Sequence, residues 1–219
     1  MYNRTTLIRT FLFLALGTLG ILAFAPYSNS NTDKEDIATT ETKIVRSNNP
    51  ITGFDQNQEY GNWKNYNVKN GLPTNKIFSV RADEDVVWLG TDAGLVKMQN
   101  DEFTIYTTDH GLVHNGVLSI DVSPITGDLW VATLGGLSRF SGGKFENYTQ
   151  FNSGLANDVI YQVNCDGKDV WVATGGGASR LDTYTGEWSI FTERNAPMHE
   201  PWTYGVTSTS DKIYVAAWG

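Results

Sequence analysis

The chain has 219 residues and a formal net charge of -8, from 16 basic and 24 acidic residues, and its only cysteine is Cys165. An acidic protein does not attract phosphate backbones, so nucleic acid is excluded as a partner. A single cysteine excludes an intrachain disulfide and a thiolate cluster for zinc, and it is typical of a small buried position on a strand.

The first 59 residues are predicted to precede the folded domain. Two arginines stand before an apolar stretch at 11–25, a length that fits the hydrophobic region of a signal peptide. A slightly longer stretch, 7–27, also fits a membrane anchor, so residues 1–27 are predicted to be a signal peptide or an N-terminal anchor. Residues 28–59 are polar and without periodicity, and we expect a flexible linker. The basic flank places the rest of the chain outside the cytoplasm, in the periplasm or at the cell surface, either secreted or anchored.

A repeat of about forty residues follows the linker. An apolar phrase with a central aromatic residue occurs at 87–91, 129–133 and 170–174, with a weaker copy at 213–217. The central residue advances by 42, 41 and 43 residues, through Trp88, Trp130, Trp171 and Tyr214. A fixed period of this length indicates a repeat architecture.

Each period contains four short strands separated by turn residues. The second strand carries the tryptophan, and the third opens after Gly94, Gly136 or Gly177, where a tight turn requires positive φ. The tryptophan strands are apolar at successive positions, which indicates that both faces of each sheet are covered by neighbouring sheets. The sequence therefore predicts an all-β fold, a β-propeller of four-stranded antiparallel blades.

The propeller is predicted over residues 60–219. Its parts are an outer strand at 60–67, blades at about 70–107, 110–149 and 153–192, and a partial blade at 198–219. The outer strand carries an extra copy of the fourth-strand motif, Trp63-Lys64-Asn65-Tyr66, and in propellers such a strand completes the last blade. We therefore expect an N-terminal fragment with about three and a half blades of a seven-bladed ring.

The first repeat carries a family resemblance. It reads Trp-x-x-Tyr at 63–66, Asn-Gly-Leu-Pro-x-Asn-x-Ile at 70–77 and Val-Trp-Leu-Gly-Thr-x-x-Gly-Leu at 87–95. This pattern resembles the two-component regulator propeller repeat, although the fourth copy departs from it at Ala196-Pro197-Met198. The resemblance covers about residues 60–219. It implies an extracytoplasmic sensor domain, of the kind in which paired propellers detect carbohydrate breakdown products.

A ligand site is predicted on the loops that lead into the first strands, because these loops gather at one end of a propeller channel. The candidate residues are Asn70, Lys76, His110, His114, Asp158, His199, Glu200 and Trp202. This polar set with one aromatic ring suits a carbohydrate or another small polar ligand. Three further residues recur nearly in register, Asn75, Asn115 and Asn157, and capping of the turn is the alternative role for them.

The motifs that resemble metal or phosphate sites have structural explanations. His110 and His114 are four residues apart in a loop rather than on a helix, so no metal site is predicted. The run 175–177 of three glycines aligns with a hairpin turn, not a phosphate cradle. The carboxylates before the tryptophan strands are too few for calcium and suit turn capping; they are Asp85, Asp128 and Asp169.

These observations predict a non-catalytic extracytoplasmic module for ligand or protein recognition, of the kind that forms the sensor part of a two-component system. No cofactor is expected. Its expected partners are the small polar ligand, a protein, and the membrane if the N-terminal segment stays in place. Two alternatives remain open. One is a propeller lyase or hydrolase with its active site at the channel mouth, and the other is a structural or interaction scaffold.

Overall fold

The structure is a computed structural model that describes residues 64–209 and 211–218. The predicted signal peptide or anchor, the predicted linker and positions 60–63 of the predicted outer strand lie outside the described residues. Positions 64–67 of that strand form irregular backbone before a 3-10 helix, Val68–Asn70. Within the described ranges, no helix is long and apolar enough to cross a membrane.

Fourteen strands form three four-stranded sheets and one two-stranded sheet in these ranges. The first sheet contains β1 (Ile77–Asp83), β2 (Val86–Thr91), β3 (Gly94–Gln99) and β4 (Glu102–Tyr106). The second sheet contains β5 (Val117–Val122), β6 (Leu129–Thr133), β7 (Gly136–Ser141) and β8 (Lys144–Tyr148). The third sheet contains β9 (Ile160–Asp166), β10 (Asp169–Thr174), β11 (Gly177–Asp182) and β12 (Trp188–Phe191). The two-stranded sheet contains β13 (Thr203–Ser208) and β14 (Ile213–Ala217).

Each sheet is an antiparallel meander, because its strands pair in chain order. A second 3-10 helix, Thr108–His110, lies in the connection between the first two sheets. The predicted strand pattern of the repeat is therefore confirmed.

The turn between the second and third strands of each four-stranded sheet requires glycine. The φ angles of Gly94, Gly136 and Gly177 are 131°, 131° and 123°, which confirms the predicted positive φ. A Cβ atom on Gly177 would lie 2.3 Å from the carbonyl oxygen of Phe191, so a larger residue cannot fit without a shift of the backbone. The run of three glycines at 175–177 is this turn, as predicted.

The tryptophan strands form the core between neighbouring sheets. The exposed fractions of Trp88, Trp130 and Trp171 are 7%, 1% and 8%. In β6, Trp130 and Ala132 pack with residues of the third sheet, whereas Leu129 and Val131 pack with residues of the first. Successive side chains thus cover opposite faces of the sheet, and the sheets stack on one another as predicted. The tryptophans are core residues and not platforms for a ligand.

The first strands β1, β5, β9 and β13 contact one another in that order, and we call them the inner strands. Two side-chain bonds join β5 to β9: Ser119 Oγ accepts from the backbone N–H of Val163 (3.3 Å), and Asp121 Oδ2 accepts from that of Cys165 (2.7 Å). In both bonds the donor lies 44 residues after the acceptor, so the two strands run in the same direction. A bond of the same kind joins β9 to β13. The starts of the inner strands therefore lie at one end of the stack, which we call the loop end.

Candidate functional site

The loops at the loop end begin with one recurring turn. In each, a side chain accepts a hydrogen bond from the backbone N–H three residues earlier. The accepting residues are Asn70, His110, Asn152 and Asn195, with distances of 2.6, 3.1, 2.7 and 2.8 Å. Two predicted ligand residues, Asn70 and His110, therefore use an acceptor atom to fix their own loop. The fourth loop keeps the turn through Asn195, although its sequence lacks the Gly-Leu of the other repeats.

A second bond closes each of the first three loops. Asn75 Oδ1 accepts from the N–H of Val68 (3.0 Å), and Asn115 Oδ1 accepts from that of Thr108 (2.9 Å). In the third loop the corresponding acceptor is Asp158, which binds the N–H of Gln150 (2.6 Å). The capping role considered for Asn75 and Asn115 is thus observed, and it extends to the predicted ligand residue Asp158.

The third recurring asparagine occupies a different position from the other two. Asn157 Oδ1 accepts from the N–H of Val159 two residues later (2.8 Å), as His114 Nδ1 does from Gly116 (2.9 Å). Asn157 is therefore the counterpart of His114, and the register read from sequence was shifted by one residue. The imidazole of His114 lies against the next turn, where a Cβ atom on Gly135 would be 3.0 Å from the His114 Cβ.

The other predicted ligand residues face solvent. The Nζ of Lys76 lies 3.0 Å from Asp92 Oδ2, and this contact, with a hydrogen bond from Thr74, lowers the pKa of Asp92. His199 and Glu200 are exposed. Trp202 is 54% exposed. In the described ranges, no group of three histidine, cysteine or acidic side chains could hold a metal ion.

Each inner strand contains a β-bulge at its second residue. In β1 the pairing jumps from Ile77 to Ser79, and equivalent jumps occur in β5, β9 and β13. The bulged residues are Phe78, Leu118, Tyr161 and Tyr204. A bulge leaves its extra residue out of the ladder and changes the direction of its side chain.

The bulged residues line a cavity of about 210 Å³ together with the residues that follow them, and we call this cavity the inner groove. The following residues are Ser79, Ser119, Gln162 and Gly205. The ring centroids of Tyr161 and Tyr204 are 4.7 Å apart, and those of Tyr204 and Trp218 are 6.1 Å apart. Sequence reasoning missed this surface. Its signal was a large apolar or aromatic residue directly after the first residue of every inner strand.

Comparison with solved structures identifies the fold of the chain. No protein-family model and no curated protein matches the chain. The extracellular domain of a hybrid two-component system from B. thetaiotaomicron superimposes with a TM-score of 0.64 at 22% identity, over 69% of this chain and 23% of that one. The extracellular domain of a one-component system from the same organism gives 0.57 at 20% identity, over 70% and 21%. PorZ, a surface component of the type-IX secretion system of Porphyromonas gingivalis, gives 0.52 at 17% identity, over 65% and 19%.

The fold is a β-propeller. Its four-stranded sheets are the predicted blades, and the described ranges contain three of them and the inner hairpin of a fourth. The chain spans less than a quarter of the length of each of these solved structures. The sequence resemblance to the two-component regulator propeller repeat agrees with two of the three, which are extracellular domains of regulatory systems.

At the opposite end of the propeller, carboxylates hold arginines over the buried tryptophans. Asp128 Oδ2 lies 2.6 Å from Arg139 Nη2, and the Arg139 guanidinium carbon lies 5.8 Å from the centre of the Trp130 ring. The third blade repeats this arrangement with Asp169 and Arg180, whose Oδ1 and Nη2 are 2.8 Å apart. Asp128 also accepts a side-chain hydrogen bond from Thr126 Oγ1 (2.7 Å) in the turn before β6. The ion pair is an additional role that the repeat pattern did not indicate.

The ion pair of Asp128 predicts a pH dependence of stability. Burial alone would raise the pKa of Asp128, but hydrogen bonds from Ser141, Thr126 and Arg139 together lower it below 3.8. A carboxylate whose pKa is lower in the folded state stabilises the protein above its unfolded pKa, and this stabilisation is lost as the pH falls through the folded pKa. The wild type should lose unfolding free energy between neutral pH and pH 3, and we expect Asp128→Asn to lose less of it over the same range, as measured by urea unfolding. Thr126→Val should show the same effect to a smaller extent. Equal pH dependence in wild type and Asp128→Asn would contradict this assignment.

Cys165 has a structural role in the third blade. It lies half-buried on β9 and packs against the core between the second and third blades. Burial, followed by the nearby charge of Asp121, raises the pKa of its thiol. A thiol in this state is a poor nucleophile. The predicted strand position is confirmed, although the side chain is half-buried rather than fully buried.

Proposed function

We propose that this propeller is an extracytoplasmic recognition module, the ligand-sensing part of a regulatory system. The observation that carries the proposal is a pair of exposed tryptophans at the loop end. Trp202 and Trp218 are 54% and 63% exposed, and the backbone N–H of Trp218 donates to the backbone carbonyl oxygen of Trp202 (2.9 Å). Exposed aromatic rings mark binding surfaces, because an apolar face and a polar edge serve recognition together.

The proposed ligand at this surface is a carbohydrate or another small polar molecule. Aromatic rings can stack on the apolar face of a sugar, while polar side chains bind its hydroxyl groups. His199 and Glu200 are exposed on the loop that leads to Trp202, and His114 lies at the same end of the propeller. The net charge of -8 favours neutral or cationic ligands over anionic ones.

Two further points support a non-catalytic sensing role outside the cytoplasm. Acceptor atoms of Asn70, His110 and Asp158 are used by the loop backbone, whereas general acid–base catalysis needs a group within reach of the substrate proton. Two of the similar solved structures are extracellular domains of a hybrid two-component system and a one-component system. The N-terminal apolar stretch with its basic flank fits the same location.

A binding screen tests the proposal. The full chain is tested on a glycan array and by thermal shift against neutral monosaccharides and disaccharides, with Trp202→Ala and His114→Ala as variants. We expect a saturable ligand whose affinity falls about tenfold in Trp202→Ala, because aromatic residues dominate binding energy at such surfaces.

The matched control is Tyr184→Ala, which removes a 68% exposed aromatic side chain from the turn between β11 and β12, at the opposite end. Its affinity should equal that of the wild type. Unchanged affinity in both Trp202→Ala and His114→Ala would show that the loop end is not the ligand site.

A further inference from the structure

The inner groove carries an inference beyond the proposed function. All four inner strands contribute to it, each with a bulged residue and the residue that follows. The bulged residues supply one phenylalanine, one leucine and two tyrosines, so most of the wall is apolar. Phe78 is 47% exposed although it lies on an inner strand. A concave apolar surface with a few polar groups is the usual form of a small-molecule site.

The wall of the inner groove has no charged side chain. A charged ligand would lose its hydration there without gaining an ion pair, so the groove selects an uncharged one. The volume of about 210 Å³ restricts the ligand to about one or two rings.

The aromatic side chains determine which kind of ring fits. Tyr161 and Tyr204 are tilted by 42° with their centroids 4.7 Å apart, and burial raises the pKa of Tyr161, with a further contribution from Tyr204. Aromatic rings stack in offset or tilted pairs at centroid distances of this size.

The serine and glutamine oxygens of the wall offer few hydrogen bonds. Ser119 Oγ and Gln162 Oε1 already accept from the backbone of the next inner strand, at 3.3 and 3.0 Å. The corresponding hydroxyl in the first blade, Ser79 Oγ, is buried and has no hydrogen-bond partner in the described part of the chain. Two of these oxygens are already bonded and the third is buried, so a sugar with a hydroxyl on almost every carbon leaves several groups unpaired in the groove.

We propose that the inner groove is a binding site for an uncharged aromatic compound of one or two rings, which stacks on Tyr161 and Tyr204. The site lies on the bulged residues of the inner strands and not on the loop residues of the proposed function. Either site can therefore fail in experiment without the other.

Indole is the probe, titrated into the full chain by isothermal titration calorimetry. We expect saturable binding to the wild type, about tenfold weaker binding to Tyr204→Ala, and no binding to Leu118→Trp, which fills the groove. Tyr184→Ala and Trp202→Ala serve as controls that leave the groove intact, and thermal unfolding of each variant verifies its fold.

Absence of indole binding to the folded wild type would overturn the proposal, as would equal affinity in the folded Leu118→Trp variant. Displacement of indole by D-glucose would show that the groove takes sugars and that the proposed chemical class is wrong. A loss of sugar binding in Trp202→Ala with unchanged indole binding would support two separate sites. If Leu118→Trp does not fold, the comparison of Tyr204→Ala with Tyr184→Ala decides the question.

Discussion

Trp130→Ala is expected to lower the free energy of unfolding by about 3 to 5 kcal/mol, the largest effect of any single change that we predict. The Trp130 side chain is 1% exposed and packs in the core between the second and third blades. Its ring stacks on Tyr148 at 5.7 Å and lies beneath the guanidinium of Arg139. Truncation removes these contacts and leaves a cavity between two sheets that are already held by their own strands and cannot collapse to fill it.

Urea unfolding of the full chain, followed by tryptophan fluorescence and circular dichroism, measures this effect. Trp130→Phe keeps part of the ring volume and should lose less stability than Trp130→Ala. Tyr184→Ala removes an aromatic side chain that is 68% exposed, and its effect should stay within about 0.5 kcal/mol. A loss below about 1 kcal/mol in Trp130→Ala would contradict the role of this residue as the contact between blades.

Asp121→Ala is expected to cost about 1 to 3 kcal/mol, mainly because it leaves the backbone N–H of Cys165 without an acceptor. Asp121 has a side chain that is only 12% exposed, and its two oxygens have different partners. Oδ2 accepts from the backbone N–H of Cys165 in the next blade (2.7 Å). Oδ1 accepts from the backbone N–H of Val122 (2.9 Å) and lies 3.2 Å from Arg81 Nη2 in the preceding blade. Asp121 thus connects three successive inner strands.

Two further variants separate the contributions of the partners of Asp121. The Arg81 side chain is 46% exposed, so Arg81→Ala should cost less than about 1 kcal/mol, as for an exposed ion pair. Asp121→Asn keeps one carbonyl oxygen for Cys165 but replaces the other acceptor with an NH2 group, so its cost should lie between those of Arg81→Ala and Asp121→Ala. A cost as large as that of Asp121→Ala would contradict the hydrogen bond to Cys165 as the main contribution.

The fold was predictable from sequence because the repeat fixes both the strand order and the faces. Tryptophan at a constant position identified the second strand, and glycine before the third strand identified a turn whose φ angles are positive. Apolar residues at successive positions indicated sheets covered on both faces, which Trp130 and Val131 confirm by facing opposite neighbours. These features depend on local turn geometry and on side-chain burial, and the residue pattern of one repeat is enough to indicate both.

The candidate site was predicted less well, for two physical reasons. Polar side chains in a loop can bind a ligand or their own backbone, and residue type does not distinguish the two; Asn70, His110 and Asp158 bind backbone. A β-bulge changes the direction of a side chain without a change in residue type. Tyr161 and Tyr204 therefore read as ordinary strand residues until the pairing register placed them in the inner groove.

The bonds between inner strands have a consequence for how such a protein can evolve. Ser119 and Gln162 differ in length, yet each accepts from the N–H group 44 residues later. In both bonds the donor is a main-chain N–H group, which every residue except proline supplies. The accepting side chain can therefore change in length or type without a matching change in the side chains of the next blade. Repeats of about forty residues can thus diverge at these positions independently of one another.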